Sequence, residues 1–293
     1  MLSYAHQPEG KNPMPFKQKR ISAYEAMYEA QKIAFAPVIF QVVRALRDLG
    51  ILRLLEQSGT SGLTAADIGK RLEVSTYGVE TLLESGLSCN VVEYRNSTDT
   101  RYKNRIYLLS KVGYYILNDV MTRTNMDFNH HVCYPGLADL DKSVKDGKPR
   151  GLETFGKQWE TFYQALPHLP EIAKNSWYAF DNFYSDNTYP LILSNVLKDH
   201  PVSIMDIGTN MGKFAILLAQ SDPDIEILIV DLPDQLDVAI KNVEKAGFSK
   251  RITAQAMDVL DTSLKFPEGL DVYWMSQFAS CFGNDELVSI FSR

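Results

Sequence analysis

The chain has 293 residues, enough for two domains each with its own core, and its 45% apolar and 23% charged content is that of an ordinary globular protein. A formal net charge of −6 speaks against chain-wide affinity for nucleic acid or an anionic membrane. No apolar run approaches the roughly 20 residues that span a bilayer, and three scattered cysteines (Cys89, Cys133, Cys281) form neither a disulfide framework nor a C-x-x-C metal site.

The first 20 residues, polar and proline-containing, read as a tail without the apolar core of a signal peptide, so a cytoplasmic protein is expected. From Ile21 the pattern turns helical. "APVIFQVVRALRDLG" predicts a helix with Pro37 at its start, Gly50 at its stop, and Val38, Val42, Leu46 and Leu49 on one face. Ile39 and Val43 make its opposite edge apolar too, and a helix apolar on two sides needs two partners, one of which could be another subunit.

"GLTAADIGKRLEVSTYGVETLLESG" holds two more helices. Thr64 and Asp67 form a capping box for the first, and Ser75 caps the second, which carries Val79, Leu82 and Leu83 and is predicted to end at Gly86. Two β-prone runs follow, "NVVEY" and "RIYLLS". Helix, turn, helix and hairpin make a winged-helix pattern over residues 21–120. A DNA-reading helix needs Arg, Lys, Asn or Gln near its start, and here Ser75, Thr76, Tyr77, Glu80 and Glu84 stand instead. The wing's Arg95, Arg101, Lys103 and Arg105 would touch phosphates but read no sequence. A scaffold or dimer module is the reading preferred over nucleic-acid binding.

Residues 121–185 are rich in aromatics. Trp159, Phe162 and Tyr163, and again Trp177, Phe180 and Tyr184, have helical spacing, which is more often core than ligand box. So many in one connector still raise the prospect of a pocket for a flat molecule, placed at the domain interface. Within the same stretch, "FNHHVCYPG" presents His130 and His131.

From Pro201 strands and helices alternate: "VSIMD", "IEILIVD", "RITAQAMD" and "LDVYWMS", with helices after Gly212 and from Pro233 to Gly247. This predicts a parallel sheet. The loop after the first strand, Gly208-Thr209-Asn210-Met211-Gly212, lacks the middle glycine of the dinucleotide fingerprint. Asp206 just before it would repel a pyrophosphate. Asp231 and Asp258 close the next two strands, where carboxylates suit ribose hydroxyls and an adenine amine. A strand-end Asp alone is a common turn residue. Three in succession favour a cofactor that carries positive charge and no phosphate, which S-adenosyl-L-methionine does.

On "MDIGTNMGKFA", "IVDLPDQLDVA", "ITAQAMDVLD" and "DVYWMSQFASCFGNDE", residues 21–293 resemble the family of bacterial and plant S-adenosylmethionine-dependent O-methyltransferases that join an N-terminal winged-helix dimerisation domain to a class I core. "IVDLP", closing the second strand, and "KSVKDGKPRG" in the connector carry the likeness furthest. The resemblance implies an α/β Rossmann-like methyltransferase core at 186–293, a mainly α winged-helix dimerisation domain before it, and a homodimer exchanging its first helices. It puts Gly208, Asn210 and Gly212 at the cofactor backbone, Asp231 with Leu232 at the ribose, Asp258 with Val259 at the adenine, and Met275 and Ser276 along the cleft; Asp206, by its own charge beside the glycine turn, is expected to accept the donor's ammonium directly or through water. It implies methylation of an oxygen on a small aromatic or polyketide-like acceptor.

Two departures stand out. Plant-type members carry a His-Asp pair after the fourth strand; the corresponding place reads Ser280-Cys281, and a serine is no base near neutral pH without its own activator. His130 and His131 are the replacement candidates, since imidazole titrates in the right range; as an adjacent pair without a third ligand they make no metal site. A full class I core has seven strands, and only four are expected here, so the core reads as incomplete and the chain as truncated, which leaves its own activity open. The rival readings are a regulatory protein that binds the cofactor and contacts DNA, and an inactive fragment.

Overall fold

The computed structural model describes residues 21–95, 105–156 and 159–293, which fall into two compact units, Met1–Asn118 and Asp119–Arg293. In the first unit, helix α1 (Ala23–Asp48) starts at a reciprocal Ser22–Glu25 capping box. Pro37 does not begin this helix but lies inside it. The upstream cap fixes the first turn, and the missing N–H removes only one ladder bond from a 26-residue helix. Its buried side is Val43 and Leu46, whereas Val38 (57%) and Leu49 (44%) are exposed, contrary to the expected face. Tyr24, Tyr28, Phe35 and Val38 are all exposed and recur at helical spacing.

Gly50, at φ +82°, turns the chain into α2 (Ile51–Ser58). The expected Thr64–Asp67 box opens α3 (Ala65–Leu72), and the Ser75 hydroxyl caps α4 (Thr76–Ser88) by accepting from Gly78 N. Gly86 does not end α4. It sits within the helix because Leu46 and Val92 press onto it, and a Cβ there would lie 3.0 Å and 3.1 Å from them. Strands β1 (Val92–Arg95) and β2 (Ile106–Leu109) pair antiparallel, Leu63 bridges to Tyr107, and α5 (Lys111–Asn118) closes the unit. Of the wing cations, Arg101 and Lys103 lie outside the described residues. The Arg95 guanidinium donates to the Thr60 carbonyl and Arg105 lies over the Tyr94 ring, so both described cations are engaged within the unit.

The second unit begins with α6 (Val120–Phe128), capped by Asp119 and continued by one π-helical turn (Asn129–Cys133). Helices α7 (Leu140–Asp146) and α8 (Phe162–Ala165) follow, then the long α9 (Glu171–Val196), which runs through the 185/186 boundary drawn from composition. The aromatic connector is thus part of the same unit as the sheet. Phe128 of α6 stacks on Phe180 of α9 at 4.0 Å, and Tyr184 donates to Asn125 Oδ1 at 3.0 Å.

The remainder alternates as predicted: β3 (Ser203–Ile207), α10 (Lys213–Ser221), β4 (Glu226–Asp231), α11 (Pro233–Ala246), β5 (Ile252–Ala256), β6 (Val272–Trp274) and α12 (Asn284–Phe291). The four strands are parallel in the order β5-β4-β3-β6, so β3 and β4 are central. Both faces of the centre are covered, which is why those strands read as apolar runs. Ile204, Ile227 and Ile229 pack with Phe214 and Leu218 of α10 and Leu236 of α11. Met205, Ile207 and Val230 pack on the other side with Phe278, Phe266 and Tyr163. Among the described residues no helix is long and apolar enough to cross a membrane.

Candidate functional site

The loop leaving β3 takes three left-handed residues in five: Gly208 (φ +71°), Asn210 (φ +53°) and Gly212 (φ +74°). Asn tolerates that region better than most residues, so the middle glycine of the dinucleotide pattern is dispensable for the backbone. Gly208 N–H donates to Val230 O at 2.8 Å, tying the loop to β4. At Gly208 a side chain is excluded, since a Cβ would lie 2.2 Å from the Phe278 ring.

Asp231, at the end of β4, holds this loop with both oxygens. Oδ2 accepts from Asn210 N–H at 2.9 Å, and Oδ1 from Leu232 N–H at 2.8 Å. Burial pushes its pKa up to about 6, although those two amides pull it back. Each oxygen keeps a second lone pair for a hydroxyl. The Asn210 side chain extends the network. Its Nδ2 donates to Asp181 Oδ2 at 2.7 Å, and its Oδ1 accepts from Gln235 Nε2 at 2.9 Å. Gln235 in turn accepts from the Tyr178 hydroxyl at 2.9 Å. One loop amide thus joins α9, α11 and the ends of β3 and β4.

These residues wall a narrow cleft of about 50 Å³. Gly208, Asn210, Asp231, Leu232 and Ser276, all expected from the sequence, line it. The other expected residues are placed elsewhere. Asp206 is buried behind the loop, where its Oδ2 accepts from the Thr209 hydroxyl at 2.8 Å, and burial raises its pKa to about 7. It faces the same side of β3 as Ile204, toward the core, and so it braces the loop where a donor contact was expected. Gly212 is set against Ala239 of α11. Asp258 closes a turn by accepting from Leu260 N–H at 2.9 Å, Val259 is fully buried, and Met275 packs in the core beside Phe278.

His130 and His131 are not brought to the cleft. They sit on the π-helical turn after α6, their rings 4.8 Å apart, and His131 Nδ1 is 2.8 Å from Ser176 Oγ. Ser280 Oγ donates to Gln277 O at 3.1 Å. The Cys281 thiol is held up to about 11, first by burial and then by the charges of Asp231 and Asp181, so it is protonated at neutral pH.

Sequence reasoning missed Asp181, Gln235, Tyr189 and Phe278. Tyr189, on α9, bonds Ser276 and has its pKa pushed up to about 12, chiefly by burial. A second, more open cavity of about 760 Å³ adjoins the first, walled by Phe128, Leu152, Phe155 and Phe180. Phe162, Trp177, Asp181, Gln277 and Cys281 line both. The pocket for a flat molecule expected from the connector therefore lies within the second unit. No group of His, Cys, Asp or Glu among the described residues is arranged to hold a metal ion.

A parallel sheet whose central strands end in a glycine loop and a loop-holding aspartate, with the cleft above them, defines a class I methyltransferase-type α/β unit. Comparison with known proteins agrees. Residues 28–102 match the Dimerisation2-like domain family. The L-tyrosine C(3)-methyltransferase of Streptomyces lavendulae is 25% identical over 241 residues, which cover 82% of this chain and 63% of that protein. The structure of the mitomycin 7-O-methyltransferase MmcR superposes with a TM-score of 0.69 at 17% identity, over 92% of this chain and 76% of that one. For the O-methyltransferase NcsB1 of neocarzinostatin biosynthesis the values are 0.65 and 18%, over 87% and 74%. At such identities the structures speak to the fold. The second unit thus has the fold of class I S-adenosylmethionine-dependent methyltransferases, and it follows a stretch that matches a dimerisation-domain family.

Proposed function

We propose that the second unit binds S-adenosyl-L-methionine in the cleft and passes its methyl group to a small aromatic acceptor in the adjoining cavity. The observation that carries this reading is the shared wall. A cleft at the strand ends that carries two carboxylates and an aromatic cavity meet along Phe162, Trp177, Asp181, Gln277 and Cys281, as a donor and an acceptor site must. Among the described residues lining the cleft there are two carboxylates, Asp181 and Asp231, and no Lys, Arg or His. That donor set fits a cofactor with cationic groups and hydroxyls, and it opposes one with phosphates.

When bound, the cofactor supplies a methyl group activated by the sulfonium charge. Asp231 and the Asn210–Gln235 pair fix the cofactor end of the site before any ligand arrives, which limits the ordering entropy lost on binding. Trp177, Phe162 and Phe180 keep the acceptor side apolar and shield it from water. Alignment of the two ligands is then the main source of rate. Neither the Ser280 hydroxyl nor the Cys281 thiol takes a proton near neutral pH, so an acceptor hydroxyl that ionises readily suits this site.

Oxygen is the acceptor atom we favour, in line with the O-methyltransferases of like fold. The name of the Streptomyces relative supports a ring carbon as the second reading. Calorimetric titration with S-adenosylhomocysteine, alongside Asp231→Ala, tests the donor site: saturable binding that the variant loses is expected, and a folded chain that binds nothing would sink the reading. Turnover with phenolic acceptors, with the methyl located by NMR, separates oxygen from carbon.

A further inference from the structure

We propose that the aromatic cavity selects an arene bearing a protonated amine, whose ammonium Asp181 receives, and turns away arenes bearing a carboxylate. The inference rests on the reading of the two cavities as donor and acceptor sites. It names the charge of the acceptor, which the fold leaves unspecified.

Asp181 is the only charged side chain among the described residues that line the aromatic cavity. It stands on α9 one turn after Trp177 and next to Phe180, so a ring lying against those aromatics would bring a short side arm within its reach.

The Asp181 carboxylate is only partly satisfied by the protein. Its Oδ2 takes the Asn210 amide at 2.7 Å, and among the described residues it makes no salt bridge. The one cation acting on it is Lys213, whose ammonium is already paired with Asp186. Burial raises the Asp181 pKa, and its charge together with that of Asp231 helps to hold up the Cys281 thiol at the junction. The Asn210 amide and the distant Lys213 offset the negative field there only in part, so a ligand cation gains from entering it and a ligand anion is repelled. Phe128 and Phe180, stacked at 4.0 Å, and Trp177 add aromatic surface that also favours a cation. A free aromatic amino acid brings its own carboxylate into a cavity where no described basic side chain receives it, and it loses most of the advantage of its ammonium.

Three phenols of matched shape read this directly: tyramine (a cation), L-tyrosine (a zwitterion) and 3-(4-hydroxyphenyl)propionate (an anion). Each is titrated calorimetrically into the full chain, with and without saturating S-adenosylhomocysteine. A charge-assisted hydrogen bond predicts that tyramine binds about tenfold or more tightly than L-tyrosine, with the anion weakest. Asp181→Asn is expected to bring the three to within about threefold of one another. Equal or tighter binding of tyrosine or the anion overturns the proposal. So does binding of none of the three, loss of the preference when S-adenosylhomocysteine is present, or a preference that survives in a folded Asp181→Asn. Should that variant fail to fold, the wild-type series decides alone. The S-adenosylhomocysteine titration itself keeps the two ideas apart, since charge preference without it removes the donor site, and its binding without charge preference removes only the amine.

Discussion

Gly208→Ala probes the point where loop, core and cleft meet. The added methyl faces two costs. The backbone holds φ at +71°, which for an L-residue costs about 1–2 kcal/mol. Its Cβ would also lie 2.2 Å from Phe278 Cδ2 and 2.4 Å from Cγ. That ring is only 6% exposed and stands edge-on to Tyr163 at 5.1 Å and Phe282 at 5.0 Å, so it can yield only toward the cleft it lines. Overpacking of this kind costs about 1–3 kcal/mol, which makes a total of about 2–5 kcal/mol. Gly247→Ala is the control, because Gly247 has φ +83° and nothing within 4 Å of its Cβ position, so only the first cost applies. Urea unfolding followed by tryptophan fluorescence is the assay, since Trp159, Trp177 and Trp274, the only three, all lie in the second unit. The difference between the two variants isolates the clash. Should Gly208→Ala prove no less stable than Gly247→Ala, Phe278 is not packed over the loop as described, and the wall of the cleft is wrong.

Other measurements test other parts. Asp206 and Asp231 have folded pKa values of about 7 and about 6, above the ordinary 3.8, so the native state binds their protons more tightly than the unfolded state does. Their contribution to stability is therefore fully present below about pH 4 and is lost as pH rises to about 7; Asp206→Asn should flatten the upper part of that window in melting curves. A ligand that prefers Asp231 ionised must lower its pKa, so affinity for S-adenosylhomocysteine should rise as pH rises through about 6, and calorimetry showing no trend would refute that contact. Gln235→Ala strands the Tyr178 hydroxyl and frees the Asn210 amide; a loss of about 1–3 kcal/mol in urea unfolding is expected, together with weaker binding in the cleft. If the exposed stripe of α1 is a dimer face, sedimentation should show dimers of the unaltered chain and monomers of Tyr28→Asp with Phe35→Asp, which puts charge on it.

Much of the sheet was legible because each of its signals is local. The apolar runs of β3 and β4 need only burial on both faces, and the Thr64 and Ser75 caps need only the turn that follows them. The misreadings came from contacts between distant segments. Pro37 looked like a start because its own turn permits one, yet the Ser22–Glu25 box fixes the helix fourteen residues upstream. Gly86 looked like a stop until Leu46 and Val92 are seen to need its missing side chain. His130 and His131 attracted attention through their titration range, which says nothing of direction; only the fold shows His131 beside Ser176. Asp258, one of three strand-end acids, also accepts from Leu260 N–H in its own turn, an ordinary use of such a residue that leaves its other oxygen unassigned. Asp181 was hidden among aromatics, and no local pattern tells that a carboxylate there meets a loop 29 residues on.

That loop explains how a sequence short of one glycine still makes a cofactor-type turn. A glycine at position 210 would supply the left-handed backbone and nothing more. Asn210 supplies the same backbone at φ +53° and adds a side chain that meets a carboxylate on α9 and an amide on α11, while its own N–H reaches Asp231. The turn is thereby held from three sides, and the end of its clasp is Asp181, which also lines the aromatic cavity. A charge bound in that cavity and a ligand bound over the loop would act on the same hydrogen-bonded chain. The departure from the glycine fingerprint is therefore the feature that links the two halves of the site, and coupling between their ligands is what it leads one to expect.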